Sequence, residues 1–300
     1  LLLAGLPFSV PGETVNRLCA SGMSSVIHTH RAICAGDGDL FIAGGVENMT
    51  RGPWVISKVS KAFGRDAQMH DSSFGWRFIN PKMKDLYGTE GMGNTAENLA
   101  EKYNISREDQ DLFAYNSQMK ATKAQSSGRL SEEIISVEIP QRKKDSIIFS
   151  KDEFIKNGTS LEILGKLRTA FKKEGGTVTA GNASGLNDGA AVVLMMREKE
   201  ALQRGLKPMA RIASWATAGV APEIMGTGPI PASQKALHKA GWKINDLDLI
   251  EANEAFAAQA IAVNQEMNWD PSIVNVNGGA IALGHPIGAS GCRILVTLLH

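Results

Sequence analysis

Cys19 has the chemistry of a nucleophile and stands in a setting that suits one. It follows the apolar residues Val15 and Leu18 and precedes the small residues of Ala20–Gly22. This pattern predicts a sharp turn into a helix, with Cys19 at the helix N-terminus, where unpaired N–H groups and the helix dipole favour a thiolate. We therefore expect a lowered pKa for the Cys19 thiol. A buried packing role is the alternative, because free cysteines are often buried and a nucleophile needs a base elsewhere.

His285 and Asn253 are the residues that could serve such a nucleophile. His285 lies between Gly284 and Pro286, in a segment through which proline prevents a helix from continuing. An imidazole held on such a loop can act as a base toward a thiol. Asn253 follows a predicted strand, where α/β sheets place ligand sites, and its amide can hold an oxyanion or a water. The alternatives are a loop histidine bonded to backbone and an asparagine that caps the next helix.

One other group of residues fits a metal site poorly, and a second segment does not fit a phosphate-binding loop. His28, His30 and Cys34 share a predicted helix, but the histidines face different ways and no fourth ligand is at hand. We therefore expect no metal site. The glycine-rich run 175–189 has Asn182 where a phosphate-binding P-loop requires lysine. That run is either a tight chain reversal or a loop against which a long, thin ligand lies.

The composition is that of an ordinary globular protein. Apolar residues make up 43% and charged residues 21% of 300 residues, a length typical of about two domains. A net charge of +1 gives no bulk attraction for nucleic acid or an anionic membrane, and no apolar run approaches the ~18 residues that span a bilayer. Three cysteines without a C-x-x-C pair favour a reducing, cytoplasmic location. We expect Cys292 to be a packing residue at the start of the final helix.

The order of the predicted elements indicates an α/β protein of two halves. The halves are predicted over 1–198 and 206–300. A weak similarity between the strand ends and turns of the two halves suggests a duplicated fold. Both ends resemble interrupted helices, so we expect a fragment whose second half is incomplete. The predicted strands are 40–43, 190–196, 247–252 and 273–277.

A mixed segment over about 51–174 interrupts the first half and is predicted to form a lid. Helices are expected to start at Asn94, with Glu97 completing a capping box, and at Ser106. Two short strands are expected on either side of the basic turn 142–144. Such a mixture of helices and a hairpin indicates an insertion rather than a continuation of the sheet.

Four segments resemble the motifs of the thiolases, in the same order and spacing. The resemblance covers essentially the whole chain and implies a five-layer αβαβα fold of two similar halves with an inserted lid domain. It favours the chemical over the packing interpretation of the motif residues. The segments are Val15–Ser25 around Cys19, Gly181–Ala191 (GNASGLNDGAA), Asn253–Gln259 (NEAFAAQ) and Asn275–Gly291 (NVNGGAIALGHPIGASG).

The resemblance assigns catalytic roles to three residues. Cys19 matches the nucleophile that becomes acylated. His285 matches the base that activates it and helps to hold the thioester oxygen. Asn253 matches the residue that holds a water in the oxyanion hole. The implied reaction is ping-pong: Cys19 attacks a 3-ketoacyl-CoA, acetyl-CoA leaves, and coenzyme A takes the acyl group.

The resemblance also implies contacts with substrate. Ser184 matches a contact with the pantetheine arm of coenzyme A, and Phe256 and Met92 fall near the acyl pocket. Lys156 in the lid is a candidate for contact with the nucleotide end of coenzyme A. No metal or cofactor is implied, because coenzyme A is a substrate, and a homodimer or homotetramer is expected.

The motifs also bear on the substrate and on whether the site is complete. Acetyl-CoA acetyltransferase ranks first, and the segment Trp76–Pro81 favours degradative thiolases such as those for 3-oxoadipyl-CoA. A decarboxylating ketoacyl synthase and a non-catalytic CoA-binding protein are the alternatives of other classes. The family's second cysteine, in a C-x-G-x-G segment, and one oxyanion donor have no counterpart here, so the 300-residue chain itself is expected to be inactive.

Overall fold

The computed structural model describes residues 1–73 and 75–300, which contain both helices and strands. The longer helices are α1 (Ser21–Ala35), α3 (Met92–Lys102), α4 (Arg107–Ser126), α7 (Pro229–Ala240), α8 (Ala257–Met267) and α10 (Ile287–Leu299). The short helices are α2 (Pro81–Tyr87), α5 (Leu161–Gly165), α6 (Glu198–Gln203) and α9 (Ala280–Leu283). The strands are β1 (Leu40–Asn48), β2 (Trp54–Ile56), β3 (Met69–Asp71), β4 (Val137–Gln141), β5 (Lys144–Phe149) and β6 (Asp188–Met196).

Strands β1 and β6 form the sheet on which the central helices rest. They pair antiparallel, in register from Leu40 opposite Met196 to Asn48 opposite Asp188. Helices α1 and α10 pack against this sheet and against each other. A Cβ on Gly22 of α1 would lie 2.6 Å from the backbone nitrogen of Cys292 in α10, so the two helix backbones are in close contact. Both predicted strands are confirmed, and both are longer than their apolar residues indicated.

The segment between β1 and β6 contains the elements predicted for the lid. β4 and β5 form the expected antiparallel hairpin. Helix α4 starts at the expected capping box, in which Ser106 and Asp109 bond each other's backbone. The start predicted at Asn94 is wrong, because α3 begins at Met92 after Gly91. Glu97 instead accepts hydrogen bonds from the backbone of Thr177 and Val178, which ties α3 to the glycine-rich run.

The second half contains less regular strand than the sequence predicts. The segments 247–252 and 273–277 meet at a single parallel bridge, Ile250 to Val274. Asn275 has a left-handed backbone (φ 44°), which turns the chain out of the ladder directly after the bridge. Its side chain takes over the pairing, accepting from Ala252 N–H at 2.8 Å and donating to Ala252 C=O at 2.8 Å. The two predicted strands are therefore wrong as regular elements.

The largest apolar core of this half lies between α7 and α8. It is built from Ile230, Val263, Met267, Trp269 and Val274, all at most 8% exposed. No helix within 1–73 and 75–300 is both long enough and apolar enough to cross a membrane. The boundaries predicted for the two halves and the lid stay predictions.

Candidate active site

The glycine-rich loop before α10 places His285 against Cys19. Cys19 lies in a 3-10 turn, Leu18–Ala20, that leads directly into α1. His285 follows Gly284, whose φ of 93° is a conformation that glycine adopts readily. The distance from Cys19 Sγ to His285 Nε2 is 3.2 Å. The structure therefore brings together the nucleophile and the base that the sequence predicts.

Ser290 fixes which nitrogen of His285 faces the thiol. Ser290 Oγ lies 2.6 Å from His285 Nδ1 and 3.0 Å from the carbonyl oxygen of Pro286. The carbonyl can only accept, so it takes the hydroxyl proton, and the serine oxygen accepts from Nδ1–H. The neutral imidazole then presents its unprotonated Nε2 to Cys19, which is the arrangement a base needs.

Burial favours the neutral forms of both groups. His285 is 7% exposed, and burial, together with the positive charge of Arg293, lowers its pKa to about 4. Burial raises the pKa of the Cys19 thiol above its usual value; a backbone hydrogen bond opposes this shift and the Glu47 carboxylate adds to it. The lowered thiol pKa expected from the helix N-terminus is therefore wrong, because desolvation outweighs the backbone donors. Cys19 nevertheless keeps solvent exposure.

Asn253 touches the same imidazole. Its Nδ2 lies 3.4 Å from His285 Nδ1. Its Oδ1 is buried and has no hydrogen-bond partner among the described residues. A buried amide oxygen without a partner is costly unless a ligand or water donates to it.

Two residues that sequence reasoning did not assign hold this loop in place. Asn187 Oδ1 accepts from the backbone N–H of His285 at 3.2 Å. Glu47, at the end of β1, accepts from the backbone N–H of Gly288 at 2.9 Å, in the first turn of α10. Both residues, like Ser290, lie in or beside the glycine-rich segments. A polar residue beside such a segment was the signal in the sequence that could have identified them. Their hydrogen-bond partners, however, are far away in the sequence.

Glu254 links the Asn253 segment to α4, to Asn275 and to α9, the short helix that precedes His285. It is 2% exposed, and its carboxylate accepts from Ser117 Oγ at 2.7 Å, Asn275 Nδ2 at 2.8 Å and Ile281 N–H at 3.3 Å. Burial raises its pKa, while these donors lower it. These hydrogen bonds hold the Asn253 segment against α9, the helix that leads to His285.

Ser184 and Phe256 lie next to this group. Ser184 donates from both its N–H, at 3.0 Å, and its hydroxyl, at 2.9 Å, to the carbonyl of Ala255. Phe256 pairs with Ala183 across an antiparallel bridge, and its ring meets Phe171 edge-on at 6.0 Å. The structure thus brings both predicted substrate residues to the segment that carries Asn253.

Met92 and Lys156 lie further out. Met92 begins α3 and is 46% exposed; a Cβ on the adjacent Gly93 would run into the ring of Phe171. Lys156 Nζ lies 5.1 Å from the ring of Phe154. A Cβ on Gly185, next to Ser184, would run into that same ring. The glycines next to Met92 and Ser184 therefore pack against the rings of Phe171 and Phe154, which contact Phe256 and Lys156.

Cys292 lies inside α10, five residues after the helix begins, and not at its start as the sequence predicted. It is fully buried, and burial raises the pKa of its thiol to about 11. The packing role predicted for it is confirmed. Within the part of the chain that the structure describes, no three histidine, cysteine, aspartate or glutamate side chains are grouped to hold a metal ion.

The chain is similar to known proteins in both fold and sequence. The family models described as "Thiolase, N-terminal domain" and "Thiolase, C-terminal domain" match residues 1–199 and 206–300. An acetyl-CoA acetyltransferase of Allochromatium vinosum is 57% identical over 300 residues, which cover 100% of this chain and 75% of that protein. A 3-oxoadipyl-CoA/3-oxo-5,6-dehydrosuberyl-CoA thiolase of Escherichia coli is 52% identical over 301 residues, with the same coverage. The crystal structure of the Bacillus anthracis acetyl-CoA acetyltransferase matches with a TM-score of 0.91 and 42% identity, over 100% of this chain and 74% of that one.

The thiolase-like α/β fold and the similarity to acetyl-CoA acetyltransferases and thiolases place the chain in an acyltransferase class of enzymes. The chain belongs to the thiolase family.

Proposed function

We propose that this thiolase is an acyl-CoA C-acetyltransferase that works through an acyl thioester on Cys19. The observation that carries the proposal is the 3.2 Å approach of Cys19 Sγ to His285 Nε2, with Nδ1 anchored on Ser290. A thiol whose pKa is raised reacts as a nucleophile at neutral pH only if a base takes its proton as the new bond forms. His285, neutral above about pH 4, is that base.

The reaction divides into two transfers. In the first, the Cys19 thiol attacks the 3-keto carbon of a 3-ketoacyl-CoA, and its proton passes to His285 Nε2. The bond between carbons 2 and 3 then breaks, its electron pair goes to carbon 2, and acetyl-CoA is released once an acid has protonated that carbon. The resemblance assigns this acid to a second cysteine, which has no counterpart among the 300 residues. In the second, the thiol of coenzyme A attacks the thioester, displaces Cys19 and gives a shortened acyl-CoA. Run in reverse, two acetyl-CoA molecules give acetoacetyl-CoA.

Asn253 is proposed to hold the oxyanion through a water. Its unpartnered, buried Oδ1 supports this role, because a water that donates to it would lie beside the imidazole. Such a water can donate its second hydrogen to the developing thioester oxygen.

Ser184, Phe256, Met92 and Lys156 are proposed to line the path of the acyl-CoA. The contacts that join Ser184 to the Asn253 segment and Lys156 to Phe154 support one continuous surface from the thiol to the lid. Coenzyme A is a substrate on this surface and not a resident cofactor. A matched pair of variants tests the Lys156 end of this path. Lys156→Gln should weaken the binding of coenzyme A, measured by calorimetry, and Lys151→Gln, at an exposed lysine five residues away, should not.

The acyl group is proposed to be acetyl or acetoacetyl, with 3-oxoadipyl as the alternative. Glu90, two residues before Met92, lines a cavity of about 590 Å³ and accepts from Asn98 Nδ2 at 2.8 Å. A fixed carboxylate near the acyl site would repel the distal carboxylate of a 3-oxoadipyl group. Competition between acetoacetyl-CoA and 3-oxoadipyl-CoA for Cys19, with and without Glu90→Gln, tests this choice.

Acetylation of Cys19 tests the core of the proposal. Incubation with acetyl-CoA should add one acetyl group, mapped by mass spectrometry to Cys19, and release free coenzyme A. Cys19→Ser should abolish the modification, and Cys34→Ser should leave it unchanged. If coenzyme A binds and no acetyl group reaches Cys19, the chain is a non-catalytic CoA-binding protein.

Assembly as a homodimer or homotetramer and a cytoplasmic location are proposed alongside. The acetyl-CoA acetyltransferases that it is similar to are bacterial proteins, which supports the second proposal. Light scattering of the purified chain tests the first.

A further inference from the structure

A second reactive group of side chains lies at the C-terminal half of α1. A cavity of about 400 Å³ opens there between α1, the segment 213–215 and the last turn of α7. We call it the basic pocket. The side chains that give it its chemistry are His30, Arg31, Cys34, Trp215 and Lys239.

The basic pocket carries two positive charges around one indole. The Arg31 guanidinium lies 4.2 Å from the centre of the Trp215 ring, and Lys239 Nζ lies 4.4 Å from it. Lys239 also donates to the Trp215 carbonyl at 2.7 Å. Among residues 1–73 and 75–300, neither cation forms an ion pair with a carboxylate. Uncompensated charge of one sign raises the local concentration of the opposite ion.

Trp215 also sets the orientation of the imidazole beside Cys34. Its indole N–H can only donate, and it lies 3.2 Å from His30 Nδ1, so Nδ1 accepts. The proton of the neutral ring is then on Nε2, 3.8 Å from Cys34 Sγ. Cys34 is exposed, so a reagent can reach the sulfur from solvent. An accessible thiol thus lies beside this imidazole, in the pocket that the two cations also line.

We propose that Cys34 is a modification site for small anionic disulfides, which the basic pocket recruits through Arg31 and Lys239. The deprotonated sulfur of Cys34, its proton released to solvent, attacks one sulfur of the disulfide. A bond forms between Cys34 Sγ and that sulfur, the original S–S bond breaks, and the other half leaves as a thiolate that takes up a proton. The disulfide is the oxidant, and a free thiol reverses the step. This site is independent of the proposed acetyltransferase function.

Two disulfides of opposite charge test the proposal. Glutathione disulfide is a net anion at neutral pH and cystamine is a dication. The rate at which each disulfide modifies Cys34 is measured by peptide mass mapping. It is divided by the rate at which the same disulfide reacts with 2-mercaptoethanol, which removes the difference in intrinsic reactivity between the two disulfides. We expect a normalised preference for glutathione disulfide of about tenfold. No preference at Cys34, or a preference for cystamine, overturns the proposal.

Variants and salt identify the source of the preference. The double variant Arg31→Gln, Lys239→Gln should abolish it, while Arg142→Gln, an exposed arginine in the β4–β5 turn, should leave it unchanged. Raising the salt from about 0.01 M to about 1 M shortens the screening length from about 30 Å to about 3 Å, and should abolish the preference in the unmodified chain without any mutation. A preference that survives both the double variant and high salt overturns the recruitment by these cations.

Discussion

Cys19 Sγ lies 3.2 Å from His285 Nε2, although the two residues are 266 positions apart in the chain. The close packing of α1 on α10 makes this approach possible. A Cβ on Gly291 of α10 would lie 2.5 Å from the backbone nitrogen of Met23 in α1. Glycines on both helices therefore let the loop that carries His285 reach the turn that carries Cys19.

The first prediction concerns the order in which the cysteines react. With neutral iodoacetamide at neutral pH, Cys19 should be alkylated before Cys34, because His285 can take its proton as the S–C bond forms. Cys292 should react last, since it is buried and its pKa is raised to about 11. His285→Gln should slow Cys19 by about 10²-fold and leave Cys34 unaffected as an internal control. Time-resolved mass mapping that finds Cys34 or Cys292 labelled first would contradict this.

The second prediction concerns the anchor of the histidine. Ser290→Ala removes the acceptor of His285 Nδ1–H, so the ring can turn its unprotonated nitrogen away from Cys19. Alkylation of Cys19 should slow about tenfold, equivalent to about 1.4 kcal/mol. Ser126→Ala is the matched control, because its hydroxyl also donates to a carbonyl one turn earlier, at 3.0 Å, but at the exposed C-terminal end of α4. Equal rates in the two variants would show that Ser290 does not orient the base.

The third prediction tests the contact between the central helices. Gly22→Ala would place a Cβ 2.6 Å from the Cys292 backbone nitrogen and should cost about 1–3 kcal/mol of unfolding free energy. Gly165→Ala at the end of α5 meets nothing within 4 Å, and should be neutral or stabilising because alanine favours helix. Urea unfolding of both variants measures the difference. A Gly22→Ala chain as stable as Gly165→Ala would mean that the helices can separate without cost.

The fourth prediction concerns the pH dependence of stability. The pKa of His285 is about 4 in the fold against about 6.5 unfolded, so between these values the unfolded chain binds more protons and stability falls as the pH falls. The unmodified chain should lose about 3 kcal/mol relative to His285→Gln between pH 6.5 and 4.

Glu251 should act in the opposite direction. Burial raises its pKa to about 7, although Arg293 opposes this, so the folded chain binds the extra proton. Relative to Glu251→Gln, the unmodified chain should lose stability as the pH rises from about 4.5 to about 7. Denaturant unfolding of the three chains at several pH values separates the two effects. Parallel pH profiles for the unmodified chain and either variant would rule out that residue's contribution.

The fifth prediction concerns turnover. Carbon–carbon cleavage requires an acid that delivers a proton to the α-carbon of the departing acetyl group. The resemblance to the thiolases assigns that role to a second cysteine. Cys292 is buried in α10, and Cys34 lies in the basic pocket, so neither of them suits it. The 300-residue chain should therefore be acetylated once by acetyl-CoA and should not catalyse thiolysis of acetoacetyl-CoA. Repeated formation of acetyl-CoA, followed by chromatography, would overturn this.

The sequence by itself determined which residues could carry the chemistry. Cys19, His285 and Asn253 were indicated by type, by small neighbours and by resemblance, and the structure places them in one group. It also predicted the β4–β5 hairpin and the cap of α4, because turns and capping boxes depend on residues a few positions apart.

Only the tertiary structure decided the electrostatics and the supports of the site. The helix N-terminus predicted a lowered pKa for Cys19, but burial raises it, and burial depends on neighbours that are distant in the chain. Ser290, Asn187 and Glu47 were visible in the sequence, but their partners were not, since each supports a loop through a contact that only folding creates. The prediction of strands at 247–252 and 273–277 was wrong for the same reason. The left-handed backbone of Asn275 ends their pairing, and its side chain replaces the backbone hydrogen bonds of the ladder.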